Sequence, residues 1–101
     1  MDELEDILEL RQETQDAIES LRSCIKAQRE FIAADESVLG FDPADWAEQQ
    51  NLYRERIGVT RRIVAAYRRQ IARHSKLLSE IDIQLADLGV NPPAQNPDAP
   101  F

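Results

Sequence analysis

The chain has 101 residues, of which 31% are charged and 43% are apolar, so it fits one folded, soluble domain rather than a disordered chain. Its formal net charge of −7 argues against a general nucleic-acid binder or an anionic-membrane binder. A single cysteine, Cys24, excludes an internal disulfide, no apolar run approaches membrane-spanning length, and the acidic first residues show no signal-peptide pattern, so we expect a cytoplasmic protein.

The first predicted helix, residues 3–39, carries two series of mainly apolar residues. One series recurs at alternating steps of three and four, as in helices of coiled coils, and we call it the seam. Its members are Leu4, Ile7, Arg11, Thr14, Ile18, Leu21, Ile25, Gln28, Ile32, Asp35 and Leu39. A stripe beside the seam repeats every seven residues and consists of Leu10, Ala17, Cys24, Phe31 and Val38. The apolar face is therefore wider than one neighbouring helix can cover.

The stretch GFDPADW predicts a tight reversal after this helix. Gly40 suits the left-handed position that follows a helix. Asp42 is a favourable N-cap, and Pro43 suits the first position of the next helix. We therefore predict a turn at residues 40–42 and a second helix over residues 43–89.

The second helix repeats the seam pattern for about six heptads, and no strand-like alternation competes with it. Its seam consists of Trp46, Gln50, Tyr53, Ile57, Thr60, Val64, Tyr67, Ile71, His74, Leu78, Ile81, Leu85 and Leu88. Gly89, followed by Val90 and Pro92, predicts the end of the helix.

The two seams match each other when the helices run antiparallel. If residues whose numbers sum to 85 face each other, every seam residue of the first helix meets a seam residue of the second. The predicted fold is thus all-α: an antiparallel, coiled-coil-like hairpin over residues 1–90, in which about two turns of the second helix extend beyond the first. Arg11 then faces His74, and we expect this pair to form a polar layer that fixes the register.

Both helices carry a further stripe that predicts self-association. On the second helix the stripe consists of small residues at every seventh position: Gly58, Ala65, Ala72, Ser79 and Ala86. Small residues let another helix approach closely, although alanines also occur on solvated helix faces simply because they favour helix. We predict an oligomer interface at Leu10, Ala17, Cys24, Phe31, Val38, Gly58, Ala65 and Ala72. A dimer forming a four-helix bundle is the simplest assembly, and a trimer or larger ring is the alternative.

The middle of the second helix is basic, with eight basic residues and one acid between residues 54 and 76. In the predicted register residues 66–76 lie beside 9–19, so acids of the first helix would neutralise much of this charge. The alternative is an arginine stripe that contacts nucleic-acid phosphates. Its members would be Arg54, Arg61, Arg62, Arg68 and Arg69.

Residues 91–101 contain four prolines and predict an extended tail. The end of this tail resembles the acidic C-terminal tip of bacterial single-stranded-DNA-binding proteins, which ends in Pro-Phe and docks into repair and replication proteins. The matching residues are Asp98, Pro100 and Phe101, whereas the run of acids is missing. The resemblance implies docking on a partner protein, and the alternatives are a flexible tail or one that packs on a neighbouring subunit.

No residue pattern points to catalysis. His74 is the only histidine and lacks a nearby cysteine for a metal site, and no serine or cysteine stands in the context of a nucleophile. We therefore expect no enzyme activity, metal or cofactor. The predicted function is that of a non-enzymatic, self-associating helical protein that binds or organises another protein, such as an assembly, adaptor or inhibitor protein encoded by a phage.

Overall fold

In a computed structural model, which describes residues 3–39 and 47–90, the chain forms two long helices packed side by side. Helix α1 spans Glu3–Leu39 and helix α2 spans Ala47–Asp87. The hairpin measures 67 × 24 × 17 Å, and no strand occurs within these two ranges. The predicted turn, the predicted helix start at Pro43 and the tail at residues 91–101 lie outside the described residues.

The helices run antiparallel, as two ion pairs at opposite ends of the hairpin show. Arg11, near the start of α1, pairs with Asp82, near the end of α2. Asp35, near the end of α1, pairs with Arg56, near the start of α2. The prediction of an all-helical protein built from two long, packed helices is confirmed.

The predicted seams form the contact between the helices. Every buried residue within α1 and α2 is a seam residue: Arg11, Thr14, Ile18, Ile25 and Asp35 on α1, and Ile57, Thr60, Val64, Leu78, Ile81 and Leu85 on α2. Two of these are threonines, whose hydroxyls donate to the backbone carbonyl four residues earlier, at 2.7 Å from Thr14 to Leu10 and 2.8 Å from Thr60 to Arg56. Both buried hydroxyls therefore donate a hydrogen bond.

The register differs from the predicted one by about one heptad. Arg11 contacts Asp82 rather than His74, and the side chain of Leu85, which the predicted register would leave beyond the start of α1, is 0% exposed. A slip of seven residues places seam residues opposite seam residues again, so the seam pattern alone cannot distinguish the two registers. The partners of the buried charged residues distinguish them.

The C-terminal end of α2 is closed by a Schellman motif. Gly89 has a φ of 78°, its amide donates to Ala86 O at 3.0 Å, and the Val90 amide donates to Leu85 O at 2.8 Å. Gly89 thus takes the left-handed position after the helix, and the helix itself ends at Asp87, whereas we predicted a helix up to residue 89. Leu88, which we predicted to lie in the seam, is instead 51% exposed because it follows the last helical residue.

Candidate functional site: two opposed faces of the hairpin

The hairpin has two faces that differ in chemistry, and position relative to the seam decides which face a residue occupies. Each residue turns a helix by about 100°, so residues that precede and follow a seam residue lie on opposite sides of it. Because the helices are antiparallel, the preceding residues of both helices share one face of the hairpin. The following residues share the other.

We call the first of these the apolar face. Phe31 is 60% exposed there and Leu10 is 43% exposed, and both belong to the predicted stripe of α1. Ala17, Cys24 and Val38 complete that stripe and are half-buried. The same face of α2 carries exposed apolar residues that we did not predict, namely Leu52, Val59, Ile63 and Leu77. The apolar face thus extends over both helices.

The opposite face contains a cavity of about 1110 Å³ between the helices, which we call the basic groove. Its apolar lining comes from Ile25 and Ala33 of α1 and from Ile71 and Ala72 of α2. Its polar lining consists of Arg22, Lys26, Arg29, Glu30, Arg68 and Ser75. Gly58, Ala65 and Ala72 follow seam residues and therefore share this side of α2. The predicted interface residues accordingly divide between two faces instead of forming one surface.

Cations of both helices lie side by side in the basic groove. In the predicted register the acids of α1 would have neutralised the arginines of α2, but the observed register places Arg68 beside Arg22, Lys26 and Arg29. Within the described residues, no ion pair involves Lys26, Arg29 or Arg68. The slip of about one heptad is the physical reason, since it moves the acidic start of α1 to the far end of α2.

The remaining arginines of the predicted phosphate-binding stripe lie apart from the groove lining. Arg61 pairs with Glu36 at 2.7 Å, and Arg54 donates a long hydrogen bond of 3.4 Å to Asn51. Arg62 and Arg69 are exposed. The structure thus brings Arg68 alone, of the five, into the groove lining.

Two further ion pairs lie in or beside the seam. Arg56 donates two hydrogen bonds to the carboxylate of Asp35, from Nε to Oδ2 at 2.8 Å and from Nη2 to Oδ1. Its guanidinium lies 5.2 Å from the centre of the Tyr53 ring. The hydrogen bond from Arg56 lowers the pKa of Asp35 below its ordinary value of 3.8, and its charge acts in the same direction, whereas burial opposes the shift. Asp35 is 2% exposed, so this pair neutralises a buried carboxylate.

Arg11 is the other buried charged residue, at 4% exposure, and its Nε donates to Asp82 Oδ1 at 2.7 Å. One further nitrogen of the Arg11 guanidinium is buried without a hydrogen-bond partner, as is Oγ of Ser75 at the groove. His74 is half-buried in the seam of α2. Its role with Arg11 in a polar register layer stays a prediction, although the two residues do not pair with each other.

Among the described residues, no group of His, Cys, Asp or Glu could hold a metal ion. Neither α1 nor α2 is long and apolar enough to cross a membrane. Asp98, Pro100 and Phe101 lie outside the described residues, so their docking on a partner stays a prediction. The apolar face and the basic groove are the surfaces of the described residues that we relate to function.

Comparison of the chain with models of protein families, with curated proteins and with solved structures found no match.

Proposed function

We propose that the protein is a non-enzymatic, self-associating helical hairpin that binds or organises other protein molecules. The observation that carries this proposal is the apolar face, on which large side chains from both helices are exposed together. Phe31 and Leu52 are 60% and 61% exposed, and Leu10, Val59, Ile63 and Leu77 are exposed on the same face of the hairpin.

A second copy of the chain is the occupant that we propose for this face. Only one side of each helix is covered within the hairpin, since a pair of helices buries one stripe each. Two hairpins that pack their apolar faces together around a two-fold axis cover both faces and form a four-helix bundle. Burial of apolar area, at about 25 cal/mol per Å², would drive this association.

A matched pair of substitutions tests this interface. Phe31→Glu places a charge in the apolar face, whereas Ile83→Glu changes a residue that is equally exposed, at 63%, but lies on the outer side of α2. We expect the first to raise the dissociation constant of the assembly about thirtyfold or more and the second to leave it nearly unchanged. Sedimentation velocity measures both, and circular dichroism checks that each variant keeps its helix content. Equal association of the two variants would contradict the proposed interface.

Nucleic-acid binding is the alternative function, and the clustering of cations in the basic groove favours it. Such binding would be strong at low salt and would fall steeply as salt is added. The test is a titration of labelled DNA and RNA oligonucleotides at two salt concentrations. Absence of binding at low salt would remove this alternative.

A further inference from the structure

We propose that the basic groove is a second interface between copies of this chain, and that it receives the acidic first half of α1 from a neighbouring hairpin. The inference rests on the proposed self-association and assigns it a second, electrostatic contact. Assembly would then continue beyond the dimer that the apolar face forms.

The lining of the groove suits an acidic helix. Its apolar part is formed by small and aliphatic residues, Ala33 and Ala72 beside Ile25 and Ile71, so the backbone of another helix can approach closely. Cations stand beside this apolar part, and Lys26, Arg29 and Arg68 have no ion-pair partner within the described residues. An occupant with acids flanking an apolar residue would satisfy both features.

The first half of α1 has this composition on the corresponding side. Glu5, Glu19 and Lys26 lie in one row of seven-residue spacing, and Leu8 and Arg29 lie in the neighbouring row. One side of α1 therefore carries acids near its start and the cations Lys26 and Arg29 further along, followed by Glu30 in the groove lining and by Glu36, which pairs with Arg61. Leu8 is 38% exposed, and Glu5 and Glu9 beside it are exposed.

Such a charge pattern is self-complementary under a two-fold axis. When two copies place this side of α1 together in antiparallel orientation, Glu5 and Glu9 of each copy approach Lys26 and Arg29 of the other. Both contacts form at once because the interface is symmetric. Groove residues and apolar-face residues lie on opposite sides of the hairpin, so one copy can use both interfaces at the same time.

Nucleic acid is the competing occupant of the groove. Proteins that hold single strands stack bases on aromatic side chains, and the groove lining includes none. A protein helix also matches the apolar part of the lining better than a phosphate backbone does. The observations therefore favour a second copy, and an oligonucleotide becomes an arm of the test.

A charge exchange tests the proposal. Variant one carries Lys26→Glu and Arg29→Glu, and variant two carries Glu5→Lys and Glu9→Lys. In either variant alone, like charges meet in both halves of the interface. We therefore expect the dissociation constant of the groove contact to rise at least about tenfold. The mass should then fall to that of the apolar-face dimer. In an equimolar mixture opposite charges meet again, and the mass should return towards that of the wild type. Multi-angle light scattering at low salt measures all three samples.

Matched controls carry the same charge changes away from the interface. Arg62→Glu with Arg69→Glu lies on the outer side of α2, and Asp6→Lys with Glu13→Lys lies on the apolar-face side of α1 near the same helix start. Both controls keep Glu5, Glu9, Lys26 and Arg29, so each control alone should retain the wild-type mass at low salt. Circular dichroism confirms that all variants remain helical.

The outcomes separate this inference from the proposed function. A monomeric wild type would overturn both. A wild type whose mass depends on Phe31 but not on Lys26 and Arg29 would overturn the groove interface alone. Binding of a thymidine oligonucleotide that variant one loses, with its mass unchanged, would assign the groove to nucleic acid and also overturn the inference.

Discussion

At the scale of single residues, two buried charges set the alignment of the helices. Arg11 pairs with Asp82, and Asp35 pairs with Arg56. In each pair one side chain is buried and the other is more exposed. A shift of about one heptad would keep the apolar seam intact but would leave both buried charges without these partners. We therefore propose that the two ion pairs specify the register more than they add net stability.

Substitution of Asp82 should lower the free energy of unfolding more than substitution of Arg11. Asp82→Ala leaves a buried guanidinium, 5% exposed, without its carboxylate, and we expect a loss of about 2 kcal/mol in the free energy of unfolding. Arg11→Met leaves Asp82, 22% exposed, able to reach water, so the loss should stay below about 1 kcal/mol. Guanidinium denaturation at matched protein concentration measures both. A larger loss for Arg11→Met would contradict this explanation.

Asp35 should make stability depend on pH in the acid range. Its hydrogen bond from Arg56 lowers its pKa in the folded state below 3.8, so the ion pair stabilises the fold above that pH. This stabilisation is lost as the pH falls through the folded-state pKa, because the carboxylate then becomes protonated. Asp35→Asn should be less stable than the wild type at neutral pH and approach it in stability as the pH falls through the folded-state pKa of Asp35. Thermal unfolding across this range measures the difference, and a constant difference would contradict the assignment.

At the scale of the helices, the sequence pattern predicted two long helices that pack together and nearly all of the seam between them. It could not predict the register, because a heptad pattern repeats after a slip of seven residues. It also missed half of the apolar face. The seven-residue row of Leu52 and Val59 is interrupted at Arg73, and the row of Ile63 and Leu77 is interrupted at Gln70, so neither row stands out alone. The packed helices bring the two rows together.

Replacement by alanine should have opposite effects on stability at Gly89, in the C-cap of α2, and at Gly58, inside the helix. Gly89 has a φ of 78°, so Gly89→Ala strains the C-cap and should destabilise the hairpin by about 1 kcal/mol. At Gly58, inside the helix, an added Cβ meets no atom within 4 Å, so Gly58→Ala should stabilise the hairpin by up to about 1 kcal/mol. Thermal unfolding compares the two variants. Destabilisation by both would show that Gly58 is crowded by a neighbour, as in an assembly.

At the scale of the whole molecule, the hairpin is a thin body with an uncovered surface on each side. The apolar face exposes large apolar side chains to water. The cations of the basic groove lie away from the acids at the start of α1, which cannot neutralise them within the same chain. A second copy can cover the apolar face and supply acids to the groove, through two different interfaces on opposite sides. The proposed assembly would place the basic centre of one copy against the acidic helix start of another, in a chain with a net charge of −7.

The mass of the wild-type protein in solution tests this account most directly. Sedimentation equilibrium over a range of micromolar concentrations should show a mass above that of a dimer of 11.5 kDa chains at low salt. Added salt should reduce the mass towards the dimer, because it screens the groove contact and leaves the apolar contact in place. A mass of 11.5 kDa at every concentration and salt would contradict the claim that each hairpin is completed by other copies.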